Sequence, residues 1–176
     1  MQAQHFYNVE DYLFSVVTTK FETTGQIDAI EFYAILDWKA SRARTRHLRR
    51  LRLIAGNFEV AVQSICSELV TARSDEERLG FLITKWQFKL PTATAILTVL
   101  YPERFTIYDV RVCRALGGHD SLGSQRWSST LWQHYQSFVR AVRQAAPNAK
   151  CLRECDQFVW GQDKEKVLRA DLEKTK

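Results

Sequence analysis

Apolar residues recur at three- and four-residue intervals along most of this chain, and no run alternates apolar and polar positions between Asn-Gly or Asp-Gly turns. That periodicity predicts helices over 10–19, 27–38, 45–73, 75–85, 91–100, 109–116, 128–146 and 164–173, and an all-α fold. The stretch 117–125 reads GGHDSLGSQ, the composition of an exposed turn, with Ser124 or Ser128 able to cap the helix that follows. No internal repeat, low-complexity tract or long linker interrupts the pattern, so 1–176 reads as a single helical domain.

At 176 residues, 45% of them hydrophobic, the chain can bury one core or two small lobes around one cleft. No apolar run approaches the roughly 20 residues a bilayer span needs, and MQAQHFYNVEDY is not a basic-then-apolar leader; a cytoplasmic protein with no membrane partner is expected. Cys66, Cys113, Cys151 and Cys155 have neither disulfide-frame nor zinc spacing and read as buried thiols, so no metal or cofactor is expected. A phosphate-binding glycine loop and a G-x-S-x-G elbow are both absent, which disfavours ATP and acyl chemistry.

Charge changes the picture. The net charge is +5, and the stretch 39–52, KASRARTRHLRRLR, holds seven Lys or Arg with no acid from Lys39 through Phe58. Lys39, Arg42, Arg44, Arg46 and Arg49 are candidate phosphate contacts, since each phosphate neutralised releases counterions. The plainer reading is a solvated helix face. Because Leu48, Leu51, Ile54 and Ala55 keep core-facing spacing, both can hold.

The segment 90–117, LPTATAILTVLYPERFTIYDVRVCRALG, sets Asp109 among Arg104, Arg111 and Arg114, at the head of a second helical pattern. Pro102 stops an apolar helix, and a second helical pattern begins at Asp109. Asp109 can therefore cap that helix, accepting the N–H of Val112 or a neighbour. Capping alone would account for an Asp at this place.

Spacing suggests more. Pro91-Thr92-Ala93-x-x-Ile96-Leu97, then Asp109-Val-Arg-Val-x-Arg-x-Leu-Gly twelve residues on, resembles the core of the helix-hairpin-helix DNA glycosylase superfamily over roughly 85–117. The family form is L-P-G-V-G-x-K-T-A-x-x-I-L followed by V-D-T-H-V-x-R-V, and Ala93 to Asp109 matches its interval without a gap. The resemblance implies a compact two-lobed helical fold, an essential carboxylate at Asp109, and a hairpin at Gln87-Phe88-Lys89, where the family has Gly-Val-Gly. Without those glycines the hairpin is degenerate as a phosphate clamp, and Lys89 is left to supply charge. Bifunctional members place a Schiff-base lysine where this chain has Pro91; Lys85 and Lys89 lie nearby but off register, so a monofunctional enzyme is expected. Some members carry a four-cysteine iron–sulfur loop, for which Cys151 and Cys155 are too few.

The chemistry such an enzyme needs is modest. Breaking an N-glycosidic bond builds positive charge on the sugar, which an ionised Asp109 would stabilise while orienting or deprotonating water. Arg111, Arg114 and the helix N-terminus should keep it ionised, and the two arginines are also candidate DNA contacts. The base must leave the stack, so a pocket and a wedge are required. Trp38 is a candidate base-stacking ring, with half-buried core the plainer reading; Trp86, Phe88 and Trp127 are wedge candidates, with packing the plainer reading for Trp86 and Phe88; and Lys85, Gln87, Phe88 and Lys89 are candidate hairpin contacts. Trp127, Trp132, Tyr135, Phe138 and Trp160 read chiefly as packing. His5, His47, His119 and His134 show no metal spacing, and His119 beside Asp120 is the best placed to touch substrate.

The sequence thus predicts a monomeric, monofunctional glycosylase that excises a damaged or modified base from double-stranded DNA. Its small size and degenerate hairpin point to a specialised role, as in defence against phage with modified DNA. The alternative is a non-catalytic helical DNA-binding or interaction module.

Overall fold

The computed structural model describes residues 6–174, and every regular element among them is helical. In order these are α1 (Val9–Tyr12), a π-helical turn (Leu13–Val17), α2 (Thr18–Thr24), α3 (Ala29–Ala40), α4 (Arg44–Ala55), α5 (Phe58–Thr71), α6 (Asp75–Thr84), α7 (Leu90–Leu100), α8 (Val110–Leu116), a 3-10 turn (Asp120–Ser124), α9 (Ser129–Ala145) and α10 (Leu152–Lys174). The all-α class follows from the periodicity; the boundaries follow from the caps. Asp28 and Glu31 form a reciprocal capping box at the start of α3, with N–H to carboxylate distances of 2.9 and 2.7 Å. Ser74 and Ser128 accept from Glu77 N and Leu131 N at 3.1 and 3.2 Å, fixing the starts of α6 and α9.

Two expected boundaries are corrected. The helix expected over 45–73 is two helices bent by 81°. Gly56, at φ +80, ends α4, and Asn57 caps α5 by accepting from Val60 N at 3.0 Å. The apolar spacing ran through this corner because both helices bury the same side of the chain. At the other end, α10 begins at Leu152 rather than 164, adding three turns that the mixed polar sequence concealed.

Helix α7 is the centre of the fold. From Thr92 to Leu100 every side chain is buried, and α2, α3 and α6 pack around it, the surroundings an all-round apolar helix requires. Thr94 and Thr98 turn their hydroxyls back to the carbonyls of Leu90 and Thr94, at 2.8 and 2.7 Å, so neither of these fully buried hydroxyls lacks an acceptor. One connected apolar cluster runs from Tyr12 to Val159. No single helix among the described residues is long and apolar enough to cross a membrane.

The segment joining α7 to α8 is held rigidly although it has no regular structure. Phe105, Thr106, Ile107 and Tyr108 are buried. The Tyr135 hydroxyl accepts from Thr106 N and donates to Thr106 O (3.1 and 2.7 Å), while Thr94 Oγ1 accepts from Tyr108 N at 3.0 Å. Buried backbone groups that a sheet or helix would have satisfied are satisfied by side chains instead. That clamp delivers the next residue, Asp109, to a fixed place.

Candidate active site

Asp109 is extended (φ −130°, ψ 140°) and caps α8, Oδ1 accepting from Arg111 N at 2.9 Å. Its other oxygen, Oδ2, accepts from Lys39 Nζ at 2.6 Å, and both side chains are largely enclosed. Burial pushes the Asp109 carboxyl up; the charge and hydrogen bond of Lys39, the Arg111 N–H and the Arg111 charge outweigh it, leaving the group below the usual carboxylate range. The carboxylate is therefore ionised at neutral pH.

A cavity of about 410 Å³ opens beside it, lined by Glu10 of α1, Trp38 and Lys39 of α3, Ile107 and Asp109 of the clamped segment, and Arg153, Asp156, Gln157 and Trp160 of α10. That volume is in the range of small-molecule sites. The α10 residues sit at i, i+3, i+4 and i+7, one face of one helix. Arg153 organises this end: its guanidinium donates to Glu10 at 2.6 Å and to Asp156, and lies 5.3 Å from the Trp38 ring centroid and 5.1 Å from that of Phe14. Gln157 Nε2 also donates to Glu10, at 2.7 Å. Trp160, which also lines the cavity, has the Arg111 guanidinium 5.2 Å from its ring centroid.

Two acids of α10 behave differently. Burial pushes Asp156 up to about 6, the Asp109 charge adding to the rise and Arg153 and Lys39 opposing it. Asp163 is held below the carboxylate range, first by hydrogen bonds from Arg114 and then by Arg111. Arg114 forks onto it with two contacts of 2.6 Å, and Arg111 adds one at 3.3 Å. The two arginines expected to hold Asp109 ionised and to touch DNA thus chiefly bind α10 to α8; Lys39 is the cation on Asp109.

The aromatic wedge candidates are enclosed. Trp86 is buried with Nε1 donating to Glu68 at 2.9 Å, and Phe88 is buried against Phe32, His47 and the Arg50 guanidinium, 4.8 Å from its centroid. Trp127 is half-buried over Gly80, whose added Cβ would meet the indole at 3.0 Å. They pack around the turn between α6 and α7, with Gln87 exposed at φ +57, in the left-handed region that favours glycine. Phe88 also seats the turn between α6 and α7 on α4, through His47 and Arg50.

On that helix Arg46 and Arg49 are exposed, as is Arg42 before it, whereas Arg44 pairs with Asp37. Lys85 pairs with Glu68 over the Trp86 ring. His119 packs edge-on to Phe138 at 5.5 Å and is not among the cavity-lining residues. His47 is buried, and burial with the Arg50 and Arg46 charges lowers it to about 4; His134 is exposed, and His5 lies outside the described residues. Cys66, Cys113 and Cys155 are buried, Cys151 half-buried.

Sequence reasoning placed Trp38, Lys39 and Asp109 among the candidates, and the fold brings those three together. It missed Glu10, Arg153, Asp156 and Gln157, and it read Trp160 as packing. The helical spacing of 153, 156, 157 and 160 was the available signal, hidden because the helix was started too late. No protein-family model, curated protein or solved structure matches the chain.

Proposed function

We propose that the protein is a monofunctional DNA N-glycosylase that turns a damaged or modified base out of duplex DNA into this cavity and hydrolyses its bond to the sugar. The observation that carries the reading is an ionised Asp109 in the wall of a base-sized cavity that two tryptophans also line. A flat heteroaromatic base is bound well by indole faces, and Gln157 offers an amide able to read its edge. As the glycosidic bond stretches, positive charge on the sugar is stabilised by the Asp109 carboxylate, which then accepts a proton from the attacking water.

Affinity for the duplex comes from Arg42, Arg46 and Arg49, with Lys89 and Gln87 at the neighbouring hairpin. Lys39 is the last cation of α3 before that surface and the first inside the cavity. The active site and the phosphate-binding face are therefore continuous along the chain.

A second reading has its own support. Both Asp109 oxygens are engaged, one by Lys39 and one by the α8 backbone, as a purely structural cap would be; a helical DNA-binding module would look the same here. Asp109→Asn separates the two. With duplexes carrying a panel of damaged and naturally modified bases, the glycosylase loses base release by at least ~100-fold in the variant and keeps its DNA affinity. A binding module releases no base as wild type.

A further inference from the structure

Three carboxylates line the cavity, Glu10, Asp109 and Asp156, and the surroundings of the last two differ. Asp109 is partly accessible with both oxygens engaged; the Asp156 side chain is only 4% exposed, Arg153 engages one of its oxygens, and Oδ1 has no hydrogen-bond partner. A buried carboxyl oxygen without a partner is costly to fold. Arg153 Nε is likewise buried and unpartnered. Both residues line the cavity, and the unmet hydrogen-bonding capacity lies buried within its α10 wall.

We infer that Asp156 is the general acid of the reaction, giving its proton to the departing base while Asp109 acts on the sugar and the water. The inference rests on the glycosylase reading above. In the step, the C1′–N bond breaks with its electron pair passing to the base. The Asp156 O–H transfers its proton to the base nitrogen or exocyclic oxygen that takes up that charge. Water adds its oxygen to C1′, and its proton goes to Asp109. The products are neutral base and abasic sugar, with Asp156 ionised and Asp109 protonated, and exchange with solvent resets both.

The electrostatics suit this division. Two acids whose environments drive them apart are the usual arrangement for paired acid and base roles. Asp156, raised to about 6, holds a proton for part of the time near neutrality, whereas Asp109 does not. The charged groups lining the cavity with Asp156 are Arg153 on its own helix, Lys39 of α3, Glu10 of α1 and Asp109 itself. Glu10 is held below the carboxylate range, burial being outweighed by Arg153 and Gln157, so it stays ionised across the same window. Arg153 and Lys39 favour the ionised form of Asp156 and stop its rise at about 6.

The role fixes a substrate class. An uncharged base leaves as a poor anion and needs the proton, whereas a base already cationic through alkylation leaves neutral without it. The test is single-turnover base release, from pH 5 to 8, from duplexes carrying hypoxanthine, uracil, 8-oxoguanine or 7-methylguanine, with wild type, Asp156→Asn and Asp156→Glu. Wild type is expected to release at least one uncharged base, with a rate falling tenfold per pH unit above about 6. Asp156→Asn loses about 100-fold or more on that base and becomes insensitive to pH there, with 7-methylguanine, where released, little affected. Asp156→Glu recovers the pH limb.

Several results overturn the inference while leaving the glycosylase reading standing: release of 7-methylguanine alone, an unchanged pH limb in Asp156→Asn, or equal losses on cationic and uncharged bases. The last is what a merely structural residue gives. Circular dichroism and the melting temperature of each variant identify a loss due to misfolding, in which case Asp156→Glu carries the decision through its pH limb. No release of any base by wild type overturns both.

Discussion

Lys39 and Asp109 lie seventy residues apart in sequence and 2.6 Å apart in space, Nζ to Oδ2. The last turn of α3 supplies one, the clamped segment before α8 the other, and both side chains are mostly hidden from water. Removing the cation leaves Oδ2 of a largely enclosed carboxylate without its partner.

Lys39→Met should therefore cost about 3 kcal/mol of stability near pH 7. The Asp109 carboxyl is displaced downward in the folded protein, so its contribution is present above the unfolded carboxylate range, about 4, and lost as pH falls through the lower folded value. The gap between wild type and variant in urea melts should shrink below about pH 4. Base release should fall as well, because Asp109 is less readily ionised. The same amine gives a check on the hydrolytic mechanism: borohydride added during turnover should trap no covalent complex, and a trapped species abolished by Lys39→Met would show a lyase instead.

Asp163→Asn should loosen α10 from α8. Arg114 and Arg111 converge on this one carboxylate, which their contacts hold below its ordinary range. The depressed value again means stability present at neutral pH and lost on acidification. The variant should melt at lower temperature at pH 7, and the difference should vanish in acid. Because the α10 wall of the cavity depends on this tether, base release should weaken even though Asp163 is not among the lining residues.

Gln87→Gly should stabilise the protein. At φ +57 a residue with a Cβ pays roughly 1–2 kcal/mol of steric strain, and glycine pays none but loses more chain entropy, so a net gain of about 1 kcal/mol is expected. A rise in melting temperature would register it. No gain would mean that the Gln87 side chain makes a contact that offsets the strain.

Arg42, Arg46 and Arg49 changed together to Ala should lower duplex affinity and flatten its salt dependence. Each lost phosphate contact removes about 0.9 from the slope of log K against log salt, or about 2 to 3 for the three. Arg44→Ala should matter less, since its guanidinium is committed to Asp37. Fluorescence anisotropy across a salt series measures both.

How much was legible beforehand varied with the kind of signal. The apolar helix α7, Asp109 as the cap of α8 and the basic stretch before and through α4 are local patterns, so they could be read directly. The corner at Gly56-Asn57 was legible in principle, since a glycine followed by a capping Asn stops one helix and starts another; apolar spacing on both sides masked it. The α10 residues were not found because their helix is half-polar, with no continuous apolar stripe to announce it.

Sequence alone determined the helices with strong periodicity, the place of Asp109 at a helix start among arginines, and a basic face, because each depends on neighbours a few residues away. Tertiary structure decided which cation meets Asp109, that Arg111 and Arg114 turn to Asp163, that Trp86 and Phe88 are packed inward, and that α10 completes the cavity. Ion pairs and cavities form between segments that only the packed core brings within a few ångströms, and at such distances burial and partner geometry set the chemistry of each group.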